Sequence, residues 1–225
     1  ARPPLAVRKG ASQDGFEVLF NEQRSFLSEF WERADVVVEA DSKVQQALRF
    51  NLFHVLQSTG RKGKTGLAAK GLTGEGYEGH YFWDTEIYVL PFLIYTMPEI
   101  ARKLLEYRYS ILDKARQRAK IMSEKGALFP WRTIDGEEVS AYYPAGTAQY
   151  HINADIIYAM EKYCKASDDI EFLYGPVAEV AAETARLWIS LGHYSEDKRF
   201  RIDEVTGPDE YTVLVDNNCY TNLMA

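Results

Sequence analysis

Two neighbouring segments spread their apolar residues differently, and that contrast limits the fold more than any other feature. Residues 84–95, "DTEIYVLPFLIY", are apolar on nearly all sides, so a helix here is expected inside the domain. Residues 98–126 instead place Ile100, Leu104, Ile111, Ala115 and Ala119 on one face and charges on the other. Pro98 in the first turn and Gly126 past the end frame them as one amphipathic helix. Four more helices are predicted. One covers Phe16–Ala34, with Phe20, Phe26, Leu27, Phe30 and Trp31 at helical spacing. Another covers Ser42–Ser58, with Ser42 as N-cap and Val44, Leu48, Leu52 and Leu56 on one stripe. The last two run from about Asn153 to Lys165 and from about Pro176 to Leu191. Residues 35–41 read as extended, 127–140 as a small hairpin or loop, and 200–222 as a strand-like piece and a loop.

The connections are longer than the roughly 2–8 residues usual between helices of a bundle, and they carry Gly, Trp and acidic residues. That favours an all-α fold that forms part of an (α/α)6 toroid. Its inner helices are buried all round, its outer helices are amphipathic, and the loops at one end build a pocket. The helices expected here make about half of such a toroid. With its start at Ala1 and its stop at "CYTNLMA", the chain reads as a piece of a longer protein. Residues 1–20 are taken as a lead-in linker and 21–225 as the first half of the barrel.

Composition narrows the function classes. A formal net charge of −7 disfavours a nucleic-acid binder, which would present a basic surface. Aromatic residues reach 13%, with 15 Tyr and 4 Trp, which suits either a large helical core or a surface that stacks sugars. Cys164 and Cys219 sit in no metal or redox spacing, so a reducing cytoplasm is the expected location. The longest apolar run, 87–95, contains Pro91 and is too short to span a bilayer, and no signal-peptide pattern is visible. His54, His80, His151 and His193 are scattered, with no HExxH or CxxC, so no metal is expected. "STGRKGKTG" ends like a phosphate-binding loop but lacks its glycine spacing and a preceding strand.

Carboxylates remain. In "VTGPDEYT", Asp209 and Glu210 read either as a helix cap and first-turn acid, or as a proton donor partly desolvated beside Tyr211. In "GYEGHYFWDTE", Asp84 reads as an N-cap, with Glu86 favouring the helix dipole and Trp83 in the core. Alternatively Trp83 walls a sugar while Asp84 accepts hydrogen bonds from two neighbouring hydroxyls. Trp131, Asn153 and Asp155 stay open between packing or capping and a place in the site.

"GLTGEGYEGHYFWDTEIYVLPFL" (71–93) and "VTGPDEYTVLVDNNCYTN" (205–222) strongly resemble the maltose, trehalose and kojibiose phosphorylase family, glycoside hydrolase family sixty-five. "ADVVVEAD", "GALFPWRTIDGEE" and "HINADIIYAMEKY" look like that family in the same order. The resemblance implies inverting cleavage of an α-glucosyl disaccharide by inorganic phosphate, giving β-glucose 1-phosphate. Phosphate is then a co-substrate, and no cofactor is expected. It places the general acid on Glu210 and the glucosyl-holding Trp-Asp pair on Trp83 and Asp84, with a homodimeric parent enzyme. The phosphate site would lie in the second half of the barrel, so the piece alone is expected to be catalytically silent. Thr212 stands where the family has His as often, which bears on the acceptor side. Two other readings stay open: an inverting α-glucoside hydrolase of the same barrel type, and an inactive sugar-binding domain.

Overall fold

The computed structural model describes residues 5–140 and 144–225. They fall into two compact units that meet in sequence between Leu52 and Phe53. In the first, helix α1 (Leu5–Ala34) precedes an extended stretch and the start of α2 (Ser42–Ser58). The stretch is tied to α2 because Gln45 accepts from the Val38 amide at 2.9 Å and donates to the Val36 carbonyl at 2.9 Å. Arg49 adds a bidentate pair with Asp35 at 2.8 and 2.6 Å. The bounds of α2 match the expectation, but the capping carboxylate is Asp41, which accepts from the Lys43 amide at 2.8 Å. The lead-in expected over 1–20 is helical from Leu5, with a break at Gly15 (φ 72), and its residues 1–4 lie outside the described residues. A glycine in that conformation separates two helical stretches without steric cost.

The second unit holds the core. After a π turn at Thr85–Val89 come α3 (Leu90–Thr96), α4 (Pro98–Ser110), α5 (Leu112–Ile121) and α6 (Ile152–Ser167). Then follow the short α7 (Ile170–Phe172), a second π turn (Leu173–Val177) and α8 (Ala178–Leu191). The antiparallel pair β1 (His193–Tyr194) and β2 (Phe200–Arg201) and the final α9 (Cys219–Met224) come last, and short 3-10 turns lie at Tyr77–Gly79 and Pro144–Ala148. Helix α6 is central, touching α3, α4, α8 and α9. Its own Ile156 and Met160 are buried, as are Leu90 and Leu93 of α3, Leu104 and Leu105 of α4 and Val180 of α8. Among the described residues no helix is long and apolar enough to cross a membrane, and no group of His, Cys, Asp or Glu residues could hold a metal ion.

Three expectations change here. The single helix over 98–126 breaks at Ile111 (φ −101, ψ 8), where the Ser110 hydroxyl donates to the Tyr107 carbonyl at 2.7 Å and competes with the helical ladder. The break turns both Ile111 and Leu112 inward, and the face Ile100, Leu104, Ile111, Ala115 and Ala119 is buried as the pattern requires. Gly126 (φ +77) is needed for a closer reason: a Cβ there would lie 2.1 Å from the Glu183 carbonyl oxygen of α8. The segment 84–95 is not buried on all sides, since α4 and α6 cover one side and Tyr88 and Tyr95 are 67% and 69% exposed. Finally, the helix expected to start at Pro176 begins earlier. Asp169 caps α7 by accepting from the Phe172 amide at 3.0 Å, and the π turn accommodates Pro176.

Asp169 also joins α4 to α6, through Arg102, whose guanidinium lies 4.5 Å from the Phe172 ring centroid, and through the Tyr163 hydroxyl at 3.1 Å. Burial raises the pKa of this carboxyl, but the Phe172 amide, Tyr163 and Arg102 outweigh it and hold the group below its ordinary value. A depressed folded pKa contributes stability that is present above the unfolded value of about 3.9 and lost as pH falls through the folded one. Asp169→Asn is therefore expected to lower Tm at neutral pH, with the gap to wild type shrinking as pH falls from about 5 to 3. A gap independent of pH in thermal melts would mean that the contact acts through shape rather than charge.

Candidate active site

The approach to Trp83 is glycine-rich because its backbone runs left-handed through four successive residues, Gly76, Tyr77, Glu78 and Gly79 (φ 103, 55, 45 and 79). The two that are not glycine are strained. Their side chains supply the compensation. Glu78 pairs with Arg132, and the Tyr77 ring packs edge-on against Phe82 at 5.2 Å between centroids. Tyr81 and Thr133 then form a two-way backbone bridge at 2.7 and 3.3 Å, which lays the 76–84 stretch against the 127–140 loop. That loop is an irregular segment rather than a hairpin. Glu138 gathers it by accepting from the Trp131 and Arg132 amides at 2.7 and 3.1 Å and pairing with Arg118 at 3.0 Å.

Behind Trp83 and Asp84 the chain turns into the π turn. Glu86, 2% exposed, faces Arg108 of α4, also 2% exposed, in a bidentate pair at 2.7 and 2.9 Å. Arg108 further donates to the Phe82 carbonyl at 3.4 Å. Glu86 therefore serves a buried ion pair rather than the helix dipole. The carboxylate of Asp84, at the N-cap position, makes no capping hydrogen bond. Trp83 is half-buried rather than in the core, and Asp84 is exposed.

On the other loop, Asp209 caps a tight turn, accepting from the Tyr211 amide at 3.1 Å and the Thr212 hydroxyl at 2.8 Å. No helix follows, so the helix-cap expectation for Asp209–Glu210 fails. Tyr211 is fully exposed and Glu210 is exposed too, so the expected shielding by Tyr211 is not made. Glu210 turns the other way, and its Oε1 accepts from Gln149 Nε2 at 2.6 Å.

Trp83, Asp84 and Glu210 nevertheless meet. Together with Ala69, Lys70, Tyr77, Phe82 and Trp131 they line one pocket of about 310 Å³. It combines two indole faces with carboxylates from segments far apart in sequence, a lining that suits a polyhydroxylated ring with stackable C–H faces. Lys70 and Tyr77 were not singled out in the sequence, and only the aromatic, glycine-rich context of Tyr77 carried a signal. Asn153 holds α6 to the 127–129 backbone, donating to the Ala127 carbonyl at 2.7 Å and accepting from the Phe129 amide at 2.9 Å, which is a packing role.

A model of the glycosyl hydrolase family 65 central catalytic domain matches residues 49–225. The chain belongs to this family. It is 62% identical to an α,α-trehalose phosphorylase of Thermoanaerobacter brockii, over 96% of this chain and 28% of that protein. It is 43% identical to a kojibiose phosphorylase of Halothermothrix orenii, over 98% of this chain and 30% of that one. A solved structure provisionally named as a kojibiose phosphorylase from the human microbiome superposes with a TM-score of 0.91 at 35% identity, covering 98% of this chain and 30% of that one. The chain thus spans under a third of the length of the relatives it matches. The mostly helical fold, with its small two-stranded sheet, matches part of a larger all-α toroid in that superposition.

Within this family 65 domain the Arg108–Glu86 pair is expected to be essential as a pair rather than for its net stabilisation. Arg108→Met leaves Glu86 buried and uncompensated and should cost about 3–5 kcal/mol. Adding Glu86→Leu should recover most of that loss. Urea unfolding of the wild type, the single variant and the double variant checks this. Equal losses in single and double variants would contradict it.

Proposed function

We propose that this chain forms the first part of the catalytic barrel of a disaccharide phosphorylase, which cleaves an α-linked glucose disaccharide with inorganic phosphate and inverts the anomeric centre to release β-glucose 1-phosphate. The supporting observation is that Trp83, Asp84 and Glu210 line a single pocket. The substrate proposed first is α,α-trehalose, because the similarity to the Thermoanaerobacter trehalose phosphorylase is well above that to the Halothermothrix kojibiose phosphorylase.

In this reading the glucosyl ring lies against the half-buried Trp83, and Asp84, uncommitted to capping, accepts hydrogen bonds from two of its hydroxyls. Glu210 delivers its proton to the departing glycosidic oxygen. Phosphate attacks the opposite face of the anomeric carbon. A phosphate dianion is already a nucleophile, so the inverting scheme needs an acid and no second carboxylate as base. The part of the relatives that this chain does not span would supply the phosphate site and cover the exposed Glu210. Action in the cytoplasm as a homodimer belongs to the same proposal.

In the full-length enzyme, trehalose cleavage should require phosphate and yield glucose 1-phosphate. Glucose release that ignores phosphate would replace this reading with a hydrolase. Glu210→Gln should lower kcat about 10²–10⁴-fold on an unactivated disaccharide. Asp84→Asn should weaken use of glucose 1-phosphate in synthesis whichever acceptor sugar is supplied. An effect confined to one acceptor, measured by initial rates, would move Asp84 out of the glucosyl position.

A further inference from the structure

Glu210 is the visible end of a buried polar chain. From Glu210 Oε1 the chain passes 2.6 Å to Gln149 Nε2, then from Gln149 Oε1 3.2 Å to His151 Nε2. His151 Nδ1 lies 2.7 Å from Asp155 Oδ2, and Asp155 Oδ1 accepts from the Tyr220 hydroxyl at 2.8 Å. Gln149 is 2% exposed, and His151 and Asp155 are fully buried. Burial and a hydrogen bond to Asp155 both push the Tyr220 phenol up, so it stays a neutral donor. Glu210 and Tyr220 lie on the same C-terminal segment, so the chain leaves that segment at the pocket and returns to it at α9. Alongside, the Thr206 amide bonds the Ala148 carbonyl at 3.0 Å, holding the base of the acid loop to the residue before Gln149.

His151 also backs the Trp83 ring, which lines the pocket. The Trp83 ring packs edge-to-face against it at 5.0 Å and 88°, and the Tyr220 ring does so at 5.4 Å and 85°. One buried imidazole therefore braces both the indole wall and, through Gln149, the carboxyl.

We propose that Gln149 is the positioning residue of Glu210, held in register with Trp83 by His151, Asp155 and Tyr220. This rests on the phosphorylase reading, in which Glu210 must act first as a protonated acid and then as a carboxylate. An amide meets both needs, because its oxygen accepts the carboxyl O–H and its nitrogen donates to the carboxylate. A hydroxyl or an alkyl side chain at 149 could not span Glu210 and His151 at once.

The test separates positioning of the acid from general support of the fold. Full-length wild type, Gln149→Met, Tyr220→Phe and, as a control, Glu210→Gln are assayed with phosphate on trehalose and on α-glucosyl fluoride, whose leaving group needs little protonation. Gln149→Met should lose roughly tenfold or more of kcat on trehalose, within the range of a general-acid contribution, with KM nearly unchanged. Its turnover of the fluoride should stay close to wild type. Tyr220→Phe keeps the ring and removes only the far hydroxyl, so it should show the same pattern more weakly and covers the case in which Gln149→Met does not fold. Equal losses on both substrates, or no loss on trehalose in either variant, overturn the inference. If Glu210→Gln itself shows no dependence on the leaving group, the acid assignment fails and takes the inference with it. If that control behaves and the other two do not follow it, only the inference fails.

Discussion

The buried Arg108–Glu86 pair is the contact around which the rest of the site is arranged. It fixes Glu86 in the first turn after Asp84, and Arg108 also reaches the Phe82 carbonyl just before Trp83. The dipeptide that faces the pocket is thus held from both sides by one guanidinium on α4. Two charges taken out of water need such close, bidentate geometry, and their main contribution is to leave a single permitted arrangement rather than to add net stability. The π turn, closed by the Leu90 amide on the Thr85 carbonyl five residues back, contains Glu86, which faces Arg108 of α4.

The sequence made legible those features that repeat at helical spacing. The bounds of α2, the apolar face from Ile100 to Ala119, and the meeting of Trp83, Asp84 and Glu210 all followed from local pattern or from motifs matched as a whole. What escaped was decided across the chain. The break at Ile111 depends on one serine hydroxyl competing for a carbonyl, which periodicity does not register. Asp84 and Asp209 both sit where a cap is expected, yet one makes no capping bond and the other closes a turn. Propensity describes what an aspartate can do at a helix start, and tertiary partners decide whether a helix starts there.

The polar chain behind the acid was the least legible part. His151 and Asp155 are one turn apart on a helix face, a spacing that sequence can show. The two ends of the network, however, span long separations: Gln149 meets Glu210 across 61 residues and Asp155 meets Tyr220 across 65. Gln149 carries no motif of its own, and Tyr220 lies in a segment whose visible signal was the acid at 210. Composition gave every tyrosine the same two readings, core or sugar platform. Tyr220 is neither, since its hydroxyl closes a buried network.

The strained approach loop and the buried network solve one problem in two ways. A pocket that selects a sugar must hold aromatic faces and carboxylates at fixed separations, although both lie on irregular backbone. On the Trp83 side the fixing is by conformation. Tyr77 and Glu78 sit in a region that costs non-glycine residues about 1–3 kcal/mol each, and the Glu78–Arg132 pair with the Tyr81–Thr133 bridge opposes relaxation. On the Glu210 side the backbone is a plain turn, and the fixing is by hydrogen bonds that are buried from Gln149 to Asp155 and partly buried at the Glu210 carboxyl and the Tyr220 hydroxyl. A conformational lock suits a group whose charge need not change. An amide-linked network suits a group that alternates between donor and acceptor, because each state finds a matching partner without a move of the backbone. Under the proposed function, the division of labour across the pocket follows the chemistry asked of each side, with shape fixed where the sugar would be held and exchangeable hydrogen bonds where a proton would be passed.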